Sequence, residues 1–287
     1  MEELGFEAEA VEALCQDLAR MLDCEEAKKL LCDAMDAYAA DKYTDFRAMM
    51  QQSKDAGALV GVSEYSAYLL LCILLAPILR EYYREAGIAD AIFVETMTDL
   101  RYKLDECKIV KGEYGIFVGS WYRLFFQMLL FAFGRLQFEI RAFRRTYEKG
   151  GKRLEPESLV LGVHIPRIPN VAFSPENCED SYARAAKFFE GRLGDAPTAF
   201  VCNSWLLFPE HENFLHEKSN IRKFMSRYEI TESKYSEDLS GLWSVFEMDY
   251  TGNIEDFPEN SFLQKAYKDH LRQGGKAGTG FGVFFAD

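Results

Sequence analysis

No two of the seven cysteines stand in a Cys-x-x-Cys pair, so neither a disulfide framework nor a thiolate zinc site can be read from them. An odd count, scattered as Cys15, Cys24, Cys32, Cys72, Cys107, Cys178 and Cys202, suits free thiols in a reducing compartment, and the cytoplasm is the expected one. The first residues lack the basic-then-apolar pattern of a secretion signal. No apolar run approaches the roughly 20 residues that span a bilayer. The longest, Tyr68 to Leu79, contains Pro77 and reads as a buried core helix, so no membrane role is expected. Basic charge is short as well: 33 Lys and Arg face 46 Asp and Glu, a net charge of −13. That balance argues against nucleic acid, because displacing condensed counterions takes a basic face. Histidine is scarce, with four in all. His211 and His216 flank Glu212 without His-Glu-x-x-His spacing, and no metal site is expected.

What the chain does have is material for a core. Of its 287 residues 48% are hydrophobic and 14% aromatic, enough to exclude disorder and to fill two ordinary domains. Residues 1–110 hold 22 acidic against 11 basic side chains and the remainder 24 against 22, so the acidic surplus belongs to the first part. A nearly neutral second part leaves room for an anionic ligand in a local basic pocket.

The first part reads as helices. Leu4, Phe6, Val11, Leu14, Leu18, Met21 and Leu22 recur at three- and four-residue steps, and Leu30, Leu31, Met35 and Tyr38 repeat the pattern. Ser63 is placed to cap a long helix running to Glu85, with Gly87 as its stop. Ala89 to Cys107 supplies another. Pro77 is the only proline before residue 133, as a helical bundle requires.

After a break at Lys111–Gly115, Ser120 to Phe133 predicts one more helix, ended by Gly134. There the period changes. Leu136, Phe138, Ile140 and Ala142 alternate with Arg135, Gln137, Glu139 and Arg141, the pattern of a half-buried strand. Arg144 to Arg153 reads as a basic turn. Ser158–Pro166, Thr198–Leu207, Leu242–Met248 and Gly280–Ala286 read as further strands. Helices are expected at Pro175–Arg192, opened by Ser174-Pro175-Glu176, from Ser219 to Tyr228, and at Ser261–Arg272. The expected fold is α+β: an all-helical domain over residues 1–132, then a mixed β-sheet domain flanked by helices over residues 133–287.

Within the second domain His164 closes a strand beside Pro166, and strand ends are where such folds place their ligands. An imidazole there can take a proton from an attacking group, or it ties the domain together by hydrogen bonds. Glu139 faces away from Phe138 and Ile140, toward a pocket or toward a surface ion pair. If Cys202 and Ser204 face one side of their strand, Asn203 and Trp205 face the other. Cys202-Asn203-Ser204-Trp205-Leu206 is not the Gly-x-Ser-x-Gly elbow of a serine nucleophile. Asn203 and Ser204 are therefore candidates for polar lining or for structural hydrogen bonds, and Trp205 for a ligand wall or for core.

Four segments carry a family resemblance: Gly134-Arg135-Leu136-Gln137-Phe138-Glu139, Val163-His164-Ile165-Pro166, Cys202-Asn203-Ser204-Trp205-Leu206-Leu207 and Ser219-Asn220-Ile221. In this order they resemble a bacterial family that pairs a helical N-acyltransferase N-terminal domain with a GNAT-like C-terminal domain. The resemblance implies an acyltransferase that uses acyl-CoA as cosubstrate and a small-molecule amine or hydroxyl as acceptor. It implies a strand (Leu159–Pro166), a phosphate-cradling turn, a helix (Pro175–Arg192) and a splayed strand (Thr198–Leu207), with the pantetheine arm in the gap. His164 is then the base or water-positioner, and the strand amides around Val163 and Ile165 polarise the thioester. Arg167, Asn203 and Ser204 lie on the cosubstrate side, Glu139 and Trp205 on the acceptor side, and Tyr228 is the acid for the departing thiolate. One element departs from the family pattern. The segment Arg167 to Phe173 has no glycine where the phosphate turn belongs, and its proline removes an amide donor. The literal match, Arg272-Gln273-Gly274-Gly275-Lys276-Ala277, reads instead as the turn into the last strand. The missing turn keeps a second expectation open: a non-catalytic module that binds a small ligand or a protein on the same fold.

Overall fold

The structure is a computed structural model and describes residues 1–286. Asp287, which the sequence reading assigns to the second domain, lies outside the described residues. Contacts divide the chain into two compact units, the first Met1–Ala132 and the second beginning at Phe133.

The first unit carries α1 (Ala8–Asp23), α2 (Glu25–Ala40), α3 (Phe46–Leu59), α4 (Glu64–Glu85), α5 (Asp90–Met97), α6 (Asp99–Lys111) and the short α7 (Arg123–Phe126). The apolar steps decide which faces are buried: Ala10, Leu14 and Met21 on α1, and Ala27, Leu31, Ala34 and Tyr38 on α2. Asp45 accepts the amides of Arg47 and Ala48 at 3.0 and 3.1 Å to open α3. Ser63 accepts that of Ser66 at 3.2 Å to open α4. The helix expected over Ala89–Cys107 is divided at Thr98, whose hydroxyl donates back to the Val94 carbonyl at 2.7 Å. Such back-bonding bends or ends a helix.

The helix expected from Ser120 to Phe133 does not form. Gly119–Tyr122 is a 3-10 turn, α7 adds one turn, Met128 takes φ +55°, and strand β1 (Leu130–Phe133) follows. The reason is tertiary. Tyr38 donates its hydroxyl at 2.7 Å to the Phe126 carbonyl, the group a continuous helix would have offered to residue 130. Tyr122 is tied at 2.8 Å to Asp99. Gly134, at φ +65°, therefore turns the chain between two strands rather than ending a helix.

The second unit runs β2 (Leu136–Ala142), β3 (Tyr147–Lys149), β4 (Lys152–Leu154), β5 (Leu159–His164), α8 (Pro175–Phe188), β6 (Ala199–Ser204), α9 (His211–Phe214), α10 (Asn220–Ser226), β7 (Glu229–Tyr235), α11 (Trp243–Phe246), α12 (Phe262–Arg272) and β8 (Gly278–Phe285). Among the described residues the main sheet has the order β1-β2-β5-β6-β8-β7, with β5 and β6 parallel and β2–β5, β6–β8 and β7–β8 antiparallel. One face is covered by α8. Tyr182 packs there against Phe138, Phe200 and Phe284 at centroid distances of 6.0, 4.9 and 5.1 Å. The other face carries Val160, Val201 and Val283 beneath Phe143 and the β3–β4 hairpin.

Two expectations change here. The basic stretch Arg144–Arg153 is not a plain turn but holds that hairpin, reversed at Gly150 and Gly151 with φ +58° and +77°. Leu242–Met248 is no strand: a 3-10 turn leads into α11, because Leu242, Val245 and Phe246 have helical spacing and bury together, Phe246 stacking on Phe257 at 3.9 Å. The edge strand β7 replaces it in the sheet.

Candidate active site

The central parallel pair does not stay paired. Partners are Leu161↔Phe200 and Gly162↔Val201. Beyond them β5 continues beside β2 to Gln137↔His164, and β6 continues beside β8 to Ser204↔Gly280. The two strands therefore part after Gly162 and Val201, leaving a notch between Val163–His164 and Cys202–Ser204.

On the hairpin side of the sheet His164 stands at the notch with Glu139 beside it. The His164 Nε2 to Glu139 Oε2 distance is 2.9 Å, and both side chains are partly exposed. The register forces this meeting: Glu139 lies opposite Gly162, and His164 is the next residue on the same face. Gly162 leaves the space the pair uses, since a Cβ there would lie 2.9 Å from Arg141 Cδ and 3.5 Å from Glu139 Oε2. A carboxylate so placed orients the imidazole and pairs with the imidazolium formed when the ring takes a proton. Below this pair the same face holds a cleft of about 320 Å³ with Val160 and Val201 as floor and Arg141, Arg145, Asn203, Lys234 and Phe281 among its walls.

On the α8 side of the sheet a narrow slot of about 30 Å³ lies between the start of α8 and α10, lined by Ser174, Cys178, Glu179, Tyr182, Lys223, Phe224 and Arg227 among others. Ser174 caps α8 through the Asn177 amide at 3.3 Å. Arg227 is paired there with Glu179 at 3.2 Å, while Lys223 and the helix N-terminus favour an anionic group. The glycine-free segment before it is fixed in another way. Arg135 is 7% exposed, donates to the Pro166 carbonyl at 2.6 Å, and lies 5.1 Å from the Phe173 ring. In the sequence Arg135 stands out only as a polar member of the alternation and of a family motif. Nothing in sequence distinguishes a buried arginine from an exposed one on an alternating strand.

The other sequence-selected residues disperse. Val163 is buried on the α8 face of β5 and Ile165 is half-buried just beyond it. Asn203 is exposed on the cleft wall. Ser204 accepts the Leu206 amide at 3.2 Å, capping the 3-10 turn Trp205–Leu207. Trp205 packs edge-on to His211 and Tyr267 beside the Phe246–Phe257 cluster, away from Glu139. His211 is itself buried among these rings, and desolvation lowers its pKa to about 4. Arg167 is paired with Glu247 at 2.6 Å, both largely exposed. Tyr228 is buried, with its hydroxyl 2.8 Å from that of Tyr182. Burial pushes both phenols well above the usual tyrosine range. Tyr182, not Tyr228, borders the slot. The Arg272–Ala277 glycine pattern lies between α12 and β8, with Gly274 at φ +84°.

Residues 1–128 match the family model described as the N-acyltransferase N-terminal domain, and residues 130–284 that described as the GNAT-like C-terminal domain. No curated protein matches the chain. Among solved structures, an acyltransferase in complex with decanoyl-CoA is 25% identical, with a TM-score of 0.74 over 100% of this chain and 86% of that one. An acyltransferase in complex with decanoyl-CoA and teicoplanin is 23% identical, with a TM-score of 0.76 over the same shares. A mutant acyltransferase in complex with octanoyl-CoA is 22% identical, also with a TM-score of 0.76.

Proposed function

Because the chain belongs to the family that joins an N-acyltransferase N-terminal domain to a GNAT-like C-terminal domain, we propose that it moves an acyl group from acyl-CoA to the amine or hydroxyl of a small-molecule acceptor. The observation that carries the reading is the Glu139–His164 pair at the mouth of the β5–β6 notch. The acyltransferase that binds decanoyl-CoA supports the choice of donor. Acyl-CoA enters by the slot at the start of α8, its phosphates near that N-terminus with Lys223 and Arg227. The thioester lies in the notch, and the acceptor approaches from the hairpin side.

The acceptor's nitrogen or oxygen attacks the thioester carbonyl carbon, and strand amides around Val163–Ile165 polarise the carbonyl oxygen. His164 takes the acceptor's proton directly or through water while Glu139 holds the ring. The C–S bond then breaks, giving the acylated acceptor and the CoA thiolate. Tyr182 keeps its proton at neutral pH and hydrogen-bonds the leaving sulfur, with Tyr228 holding Tyr182 in place. The solution cytoplasm is the compartment that goes with this reading, and seven free thiols suit it.

The test is a melting curve with added donor. Decanoyl-CoA or CoA is expected to raise Tm progressively, by about 2.7 kcal/mol of added stability at a concentration 100 times Kd. A flat response at millimolar concentrations of both would overturn the donor assignment and favour a binding module on the same fold.

A further inference from the structure

The cleft below His164 contrasts with the rest of the molecule. The chain carries a net charge of −13, yet Arg141, Arg144, Arg145 and Lys234 all border this one concavity, with Glu232 as the carboxylate among its walls. Glu232 is already engaged with Arg145, which also lies 4.6 Å from the Phe281 ring. Among the described residues Arg141, Arg144 and Lys234 make no ion pair. All three are exposed and Arg141 shares the space over Gly162 with Glu139, so solvent and that carboxylate screen part of their mutual repulsion but do not remove it. An anion in the cleft offsets that repulsion, and guanidinium groups match the geometry of carboxylate and phosphate.

We infer that the acceptor is an amine or alcohol that also carries a carboxylate or phosphate, and that Arg141, Arg144 and Lys234 hold this anion. The inference rests on the acyl-transfer reading, and it sets a length. Arg141 faces Val160 in the register and reaches across Gly162 toward Glu139. His164 stands one same-face step beyond Gly162, and a step is roughly 7 Å. The anion and the attacking atom are therefore separated by about one to two such steps, so a short amino acid does not bridge them and a chain of five or six carbons does.

Matched acceptors test this. Transfer from decanoyl-CoA is measured to ω-aminohexanoate against ω-aminohexanamide, and to ω-aminopentyl phosphate against ω-aminopentanol. The two pairs separate carboxylate from phosphate. At least one anionic member is expected to exceed its neutral partner in kcat/KM by about tenfold to a hundredfold, the span of a charge-assisted hydrogen bond. In the double variant Arg141→Gln/Arg144→Gln the advantage of the anionic member over its neutral partner disappears. Lys234→Gln, which alters a different strand, reduces the advantage in the same direction. Binding of inorganic phosphate, followed by NMR without any turnover, is expected to weaken in the double variant and to persist when CoA is added. Equal use of charged and neutral partners overturns the inference, and so does phosphate binding that the double variant leaves intact or that CoA abolishes. Phosphate binding that depends on Arg141 and Arg144, with no transfer to any acceptor, upholds the anion site and rejects the acyltransferase reading instead.

Discussion

His164→Gln is expected to fold with near wild-type stability, to retain donor binding, and to lose roughly 100- to 10,000-fold in turnover. Glutamine keeps the length to reach Glu139 and can preserve one hydrogen bond to it, but it cannot accept a proton at neutral pH. His164 is partly exposed, with 26% of its side chain open, so solvent reaches the groups the substitution uncovers. The alternative role, a structural tie between β2 and β5, makes a different forecast. Loss of a buried hydrogen-bond partner costs about 1–3 kcal/mol, and the variant would melt early while remaining active. Steady-state kinetics beside a melting curve separate the two. A variant that turns over at the wild-type rate would remove His164 from the chemistry.

Phe200→Ala is expected to destabilise the second unit by about 3–5 kcal/mol, read as a lower midpoint in chemical denaturation. Phe200 is 1% exposed. Its ring contacts Phe138 at 5.7 Å and Tyr182 at 4.9 Å and stacks on Phe284 at 5.0 Å. It also opposes Leu161 in one of the two pairs joining β5 to β6. Removing the ring leaves a cavity under the strands that bound the notch, so donor binding should weaken along with stability. A loss below about 1 kcal/mol would mean that the neighbouring rings collapse into the space.

The sequence made the helical half legible because its signals are local: apolar steps of three and four, and a cap such as Ser63. It failed at Ser120–Phe133 because the Phe126 carbonyl is claimed by Tyr38, a partner far away in the chain. The strand β7, Glu-Ile-Thr-Glu-Ser-Lys-Tyr, went unread for a different reason: as an edge strand it is mostly exposed and shows no apolar alternation. In the candidate site, Glu139 and His164 could be singled out separately by alternation and strand-end position. Their 2.9 Å meeting depends on the β2–β5 register, which no local pattern specifies. Trp205 and Ser204 share the motif of Asn203 but not its place, because the strand ends at Ser204 and a 3-10 turn carries Trp205 into another core. The basic cleft combines residues from β2, the segment after it, β7 and β8, so its charge cannot be summed from any one stretch of sequence.

The early parting of β5 and β6 also has a mechanical consequence. With two residue pairs as the ladder across its middle, the halves β1-β2-β5 and β6-β8-β7 share a short backbone hinge, backed by side-chain packing such as Phe138 against Phe200. Stability in a protein is distributed over cooperative segments, and segments joined by few backbone bonds open most readily. Amides flanking the notch should therefore exchange with solvent by a local opening of this hinge, at lower cost than amides in the β6–β8 ladder. A donor bound between the half-sheets would act as a splint, slowing exchange on both sides at once, so the protein would be most compliant when it is empty.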